Sequence, residues 1–276
     1  MSGRALLLAA ALLLSGCSAV EFAYNNADVW LSWRASHYLD LSDEQAREFD
    51  GRAAALLAWH RKQALPAYAR LADEAAARLE RGATRDDMVW GYDAVRAQAR
   101  EGIGRAGAAL GDFLDRLSPA QVDHLERRLA DDNRRYARLW LDGTPEEQRR
   151  RRLERLLHTL EDWLGELNDA QRDRVRSFND AAPYNAAPRD RERRRLQAEL
   201  LAMLRARRSA GALADWAAHW DRGREPAFAA ANRAQLDAMT AMLADVERTL
   251  SERQRAHAVD RLREYARDFR ALAAAR

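Results

Sequence analysis

The stretch Leu153-Glu154-Arg155-Leu156-Leu157-His158-Thr159-Leu160-Glu161-Asp162-Trp163-Leu164-Gly165-Glu166-Leu167 decides the fold. Its apolar residues, Leu153, Leu156, Leu157, Leu160, Trp163, Leu164 and Leu167, follow one another by steps of 3, 1, 3, 3, 1 and 3. Steps of three and four place side chains on one face of an α-helix, whereas a half-buried strand would alternate. Val122, Leu125, Leu129, Tyr136 and Trp140 repeat the pattern, as do Phe228, Leu236, Met239, Leu243, Val246 and Leu250. Ala and Arg, both strong helix formers, fill the remaining positions. Thirteen Gly and six Pro in 276 residues are too few for a turn-rich β fold. The expected fold is all-α, a bundle of about eight to ten helices.

Helix starts are written into the sequence. Leu41-Ser42-Asp43-Glu44-Gln45, Leu117-Ser118-Pro119-Ala120-Gln121, Leu167-Asn168-Asp169-Ala170-Gln171 and Leu250-Ser251-Glu252-Arg253-Gln254 share one outline. Ser or Asn caps the helix, and the Gln three residues later returns the bond, which makes a capping box. Thr84 to Asp87 and Thr144 to Glu147 are variants of it. Gly82 and Gly143 read as C-caps. Pro66 falls inside a helical pattern and should kink or split it. Asp180 to Asp190, with Pro183 and Pro188, reads as a loop, and Gly223 to Pro226 as a second break. Pairing the motif at 41 with that at 117, and 167 with 250, suggests a duplicated unit. The expected halves are residues 17–142 and 143–276, with the seam near Gly143.

The 46 basic residues, of which only Lys62 is lysine, nearly balance 43 acids at a net charge of +3. A charge that small is mainly a solubility term, and no nucleic-acid partner is expected. A single cysteine excludes a disulfide framework and a Cys-based metal site. Arg4 followed by the ten apolar residues Ala5 to Leu14 reads as a signal peptide over residues 1–16, too short to span a bilayer, which needs about 20 residues. Leu14-Ser15-Gly16-Cys17 resembles the lipobox of bacterial lipoproteins. That resemblance implies acylation of Cys17, palmitate included, and the Ser18 after it implies the periplasmic face of the outer membrane. Two or more acyl chains make a stable anchor.

Phe22-Ala23-Tyr24-Asn25-Asn26-Ala27-Asp28-Val29-Trp30-Leu31-Ser32-Trp33 is dense in aromatics and begins five residues after Cys17. Trp and Tyr suit both protein hot spots and lipid headgroups, so the block could dock a partner or lie in an interface. It could equally be a short helix, capped by Asn25 or Asn26, that packs Trp30 and Trp33 into the body. The lipobox, this block, the motif at 41–45 and Trp59-His60-Arg61 together resemble an uncharacterised family of helical lipoproteins from Gram-negative bacteria. The four Leu-x-x-x-Gln motifs are also similar to the Leu-Thr-x-x-Gln motifs of Spy/CpxP-type periplasmic proteins, with Ser or Asn in place of Thr. That similarity implies an ATP-independent chaperone or an envelope-stress modulator.

Other clusters read blandly. Arg149 to Arg152 and Arg189 to Arg195 read as solvated helix faces paired with nearby acids. No two of the six histidines have helical metal-ligand spacing, and Trp216, His219, Trp220 and Asp221 read as a helix end. Gly102, Gly104, Gly107 and Gly111 share a helical stripe, where small residues let helices approach closely. No nucleophile elbow, P-loop or dinucleotide fingerprint is present, and no cofactor is expected. The expected function is non-enzymatic: binding unfolded or envelope proteins on a face with exposed apolar and arginine groups. Trp30, Trp33, Trp59 and the motif leucines Leu41, Leu117, Leu167 and Leu250 are the candidate contact residues. The alternative is a structural or assembly lipoprotein docking one envelope partner. An enzyme acting on envelope polymers would instead need convergent carboxylates.

Overall fold

The computed structural model describes residues 19–182 and 185–275. The expected signal peptide and Cys17 lie outside them. Helices α1 (Ala19–Asn25), α2 (Ala27–Leu39), α3 (Asp43–Trp59) and α4 (Leu65–Glu80) come first. They are followed by α5 (Arg85–Asp115), α6 (Pro119–Trp140), α7 (Pro145–Leu164) and α8 (Asp169–Ala181). Then come α9 (Ala186–Arg205), α10 (Ser209–Ala218), α11 (Pro226–Glu247) and α12 (Glu252–Ala274). The fold is all-α, with no strand among the described residues. The short α1 and α10 take the helix number past the expected eight to ten. No helix among the described residues is long and apolar enough to cross a membrane.

Ser42, Thr84, Ser118, Thr144, Asn168 and Ser251 each form a full capping box. Gly82 and Gly143 end their helices at φ +88°, a backbone that side chains disfavour. The helical run expected to break near Pro66 is divided there into α3 and α4, with Pro66 in the first turn of α4. A π-turn over His60–Ala64 precedes it, and Leu65 N–H bonds back to the His60 carbonyl. Proline lacks a donor and crowds the carbonyl four residues back; the five-residue spacing of a π-turn is a local adjustment beside it. The loop expected over 180–190 is shorter, because α8 runs to Ala181 and α9 starts at Ala186. Pro188 sits in the first turn of α9, where its missing N–H has no intrahelical partner to lose.

Three apolar clusters hold the body. Leu117, just before α6, and Val122 and Leu125 of α6 meet Leu201 and Leu204 of α9. Ala35, Phe49, Ala53 and Phe113 join α2, α3 and α5. Val175, Phe178, Met242 and Val246 join α8 and α11, and Leu153, Leu156, Leu157, Leu160 and Leu164 of α7 pack onto them. Two pairings are especially extensive, α10 on α5 and α12 along α4. Both use small residues: Gly107 and Gly111 under α10, and Ala69, Ala76 and Ala266 between α4 and α12. These pairings join helices from either side of Gly143.

The capping glutamines have a second role. Gln45 and Gln121 exchange amide bonds at 3.2 and 2.7 Å. Gln171 and Gln254 do the same at 3.1 and 3.0 Å. Gln121 also donates to the Asp40 carbonyl at 2.9 Å, and Gln254 to the Glu166 carbonyl at 2.8 Å. The motifs therefore meet in space as 41 with 117 and 167 with 250.

Candidate functional site

Seven of the eight large apolar side chains exposed among the described residues fall on two stripes. One is Phe22, Val29, Trp30 and Trp33 on α1 and α2; the other is Tyr92, Val95 and Ile103 on α5. A folded surface normally scatters such residues, so contiguous ones mark contact sites. The second stripe borders a groove of about 470 Å³. Trp90 and Val95 of α5 face Tyr68 and Leu71 of α4, Trp163 of α7, and Tyr265 and Phe269 of α12. A further compartment of about 410 Å³ shares Trp90, Gly91 and Trp163 with it and runs on to Leu160 and Leu243. A third, of about 580 Å³, takes Tyr92 and Val95 towards Trp220 and Leu236.

The wall is a run of touching rings. Tyr68 meets Phe269 edge-on at 5.8 Å, Phe269 stacks on Tyr265 at 6.2 Å, and Tyr265 meets Trp163 at 5.9 Å. Such offset and edge-on pairs add to area burial. The run continues through His60, 5.4 Å from Tyr68, to Tyr24 of α1, 5.6 Å from His60. Burial pushes the His60 imidazole below its usual value, and the Tyr24 hydroxyl lies 3.1 Å from its Nδ1. Arg78 covers the Trp90 ring at 3.9 Å, and Arg261 covers Trp163 at 5.1 Å. Glu74 and Asp87 hold the Arg78 guanidinium, each at 2.5 Å. The Thr84 backbone N–H, and then Arg78, depress the Asp87 carboxyl to about 2. Arg78 is thus fixed as a lid on the ring.

The first compartment has neither His, Cys, Asp nor Glu in its walls, and Gln98 is its one side-chain amide. Its chemistry is apolar contact and ring stacking, with two cations on its aromatic walls. Among the described residues, no three His, Cys, Asp or Glu side chains lie close enough to hold a metal ion.

The sequence-based candidates are placed differently. Leu117 and Leu167 are buried core residues, while Leu41 and Leu250 are half-buried against the clusters. The motif leucines pack within the body, each beside a helix start that the glutamine pairs tie down. Trp59 is half-buried, with Arg105 over its ring at 5.5 Å. Trp30 and Trp33 stay 57% and 58% exposed, so they do not pack into the body. Asn26 makes no cap bond there; its Nδ2 donates to the Phe22 carbonyl at 2.8 Å. Cys17 lies outside the described residues.

The arginine runs are not simple solvated faces. Arg152 donates to the buried Asn179 at 2.7 Å and to the Ala182 carbonyl at 3.1 Å, tying α7 to α8. Buried Asp190 takes Arg193 and Arg194, and buried Glu192 takes Arg195 and Arg224. Asp221 is paired to Arg96 and Arg100 of α5, and Trp216 donates to Glu199 at 2.8 Å. The groove residues Tyr68, Trp90, Tyr265 and Phe269 were not anticipated. Tyr265 and Phe269 stand one helical turn apart, a spacing that any core stripe shares.

No curated protein and no solved structure matches the chain. A family model described as "Family of unknown function (DUF6279)" matches residues 37–217, a span from α2 to α10 that includes the Tyr68, Trp90 and Trp163 walls of the groove, and the chain belongs to that family.

Proposed function

We propose that this is a lipid-anchored, periplasm-facing protein of the outer membrane that binds apolar segments of unfolded or envelope proteins without chemistry of its own. The observation that carries the reading is the aromatic-walled groove along α5, with Val95 60% exposed beside it. An extended or helical apolar segment could bury its side chains against Trp90, Trp163, Tyr265 and Phe269. Arg78 and Arg261, fixed over two of those rings, offer an apolar stem and a charged fork to the same segment. The paired Leu-x-x-x-Gln motifs, similar to those of Spy/CpxP-type proteins, support the class. The two reciprocal glutamine bridges support a duplicated unit within one body.

The test is aggregation suppression. The chain, without ATP, is added to several chemically denatured clients diluted into buffer. Suppression near equimolar ratio for unrelated clients is expected. Val95→Glu introduces a charge at an exposed helical position, so it should leave the fold intact and weaken suppression by about tenfold, the effect of roughly 1.4 kcal/mol lost from apolar contact. Equal suppression by the variant removes the groove from the mechanism. No suppression of any client replaces this reading with the docking of one specific envelope partner.

The anchor has its own test. Cys17→Ala should release the chain from membrane fractions or leave it unprocessed, as seen by fractionation and by mass. A mature chain still sedimenting with outer membrane would sink the lipoprotein reading.

A further inference from the structure

Helix α2 is apolar on two sides. Its inner side gives Ala35 to the core, with Leu31 packed beside it. Its outer side carries Val29 (67% exposed), Trp30 and Trp33, and Phe22 of α1, seven residues before Val29, is 71% exposed. In a helix lying on a water-facing surface, the outer side is polar. Here it presents two tryptophans, the residue type that settles at the headgroup level of a bilayer. Arg34 flanks them, its guanidinium 5.3 Å from the Trp30 ring and 4.6 Å from the Tyr38 ring. No carboxylate pairs with Arg34 among the described residues, in contrast to most arginines of this chain. Asp28 stands five residues before Trp33, about 140° round the helix at 100° per residue, away from the centre of the stripe.

We propose that the Phe22–Val29–Trp30–Trp33 face lies in the headgroup region of a phospholipid bilayer, with Arg34 on the lipid phosphates. The proposal rests on the lipid-anchor reading of Cys17 for its geometry. Phe22 is the fifth residue after Cys17, and five residues reach at most about 17 Å when extended. An acyl chain on Cys17 would therefore keep the stripe within reach of the headgroups, and the eleven-residue step from Phe22 to Trp33 would lie along the surface for about 16 Å. The anchor and the stripe together fix how the body is held, where an anchor alone would leave it free to swing.

The experiment is tryptophan quenching in the full chain, reconstituted in vesicles of phosphatidylethanolamine and phosphatidylglycerol with brominated acyl chains. Trp30 and Trp33 are two of eight tryptophans, and the other six serve as the internal background. Shallow bromines should quench more than deep ones. Trp30→Gln/Trp33→Gln, both exposed sites, should keep its helical circular dichroism and lose the bromine-sensitive component about tenfold, as expected if these rings supply the interfacial contact. Unchanged quenching in the double variant, or none in the parent chain, overturns the proposal. If the double variant instead loses a specific cross-linked protein with quenching unchanged, the face belongs to a protein partner. The mass of the purified chain reports acylation of Cys17 separately. A chain found without lipid is mixed with the same vesicles and the same comparison is made, so failure of the anchor and failure of the stripe are distinct results.

Discussion

Gly111→Ala is expected to destabilise the protein by about 2–4 kcal/mol, the range for overpacking against atoms that cannot yield. A Cβ built at Gly111 would sit 2.6 Å from the Ser209 carbonyl oxygen and 2.9 Å from the Ala210 Cα. Both belong to the backbone of α10, so relief requires moving a helix and not a side chain. That helix end is pinned. The Asp115 carboxylate accepts from the Ser209 and Ala210 N–H groups at 2.7 and 2.9 Å. Burial acts to raise the Asp115 carboxyl, but those two donors outweigh it and hold it below its usual value. Lifting α10 would lengthen these bonds as well. Gly102→Ala is the control, since nothing lies within 4 Å of its Cβ position. There the gain in helix propensity, roughly 0.5–1 kcal/mol, should appear as added stability. Chemical denaturation of both variants decides it. Equal effects would mean that α10 is not seated on α5.

The same glycines show how far the sequence could be read. A helical stripe of glycines implies close approach by another helix, and Gly104, Gly107 and Gly111 do support α10. Gly102 does not, because at 100° per residue it stands about 200° round α5 from Gly104, whose Cβ position meets Ala218 at 3.2 Å. Local physics was legible. All six capping boxes depend on residues three apart, and the period of Leu153 to Leu164 depends on one helix. What was hidden depends on distant partners. Trp163 belongs to the same apolar face as Leu160 and Leu164, yet it turns to the groove because Tyr265 stands 5.9 Å away. Trp30 and Trp33 have the composition of core residues, and periodicity alone cannot tell an inward apolar face from an outward one. Asp190 and Glu192 read as surface acids within an arginine run, and only the path of α9 buries them among their own arginines.

Gln171 carries the other large expected effect, because it joins a local bond to a distant one. Its side chain is 1% exposed. Its oxygen accepts from the Asn168 N–H at 3.0 Å; its amide donates to the Thr249 carbonyl at 3.1 Å and to Gln254 at 3.1 Å. Gln171→Ala removes these bonds and leaves the Thr249 carbonyl, and one hydrogen of a Gln254 amide whose other hydrogen stays on the Glu166 carbonyl, without their partner. Each stranded group costs about 1–3 kcal/mol, so a total near 3–5 kcal/mol is expected. Gln45→Ala, at a half-buried position of the other pair, lets water replace the lost partner and should cost only about 1 kcal/mol. Gln171→Glu separates shape from hydrogen bonding. An ionised carboxylate there would face the Thr249 and Gln254 oxygens with no proton to give, and it would be buried. Both raise its folded pKa above the unfolded glutamate value of about 4.3. A raised folded value means that stability is retained below about pH 4.3 and lost as pH rises through the folded pKa. The difference between variant and parent, measured by denaturation at each pH, should therefore be small near pH 4 and large at pH 7. A difference that does not change with pH would show that water reaches Gln171, and that the glutamine bridge is not what closes this end of α8 onto α12.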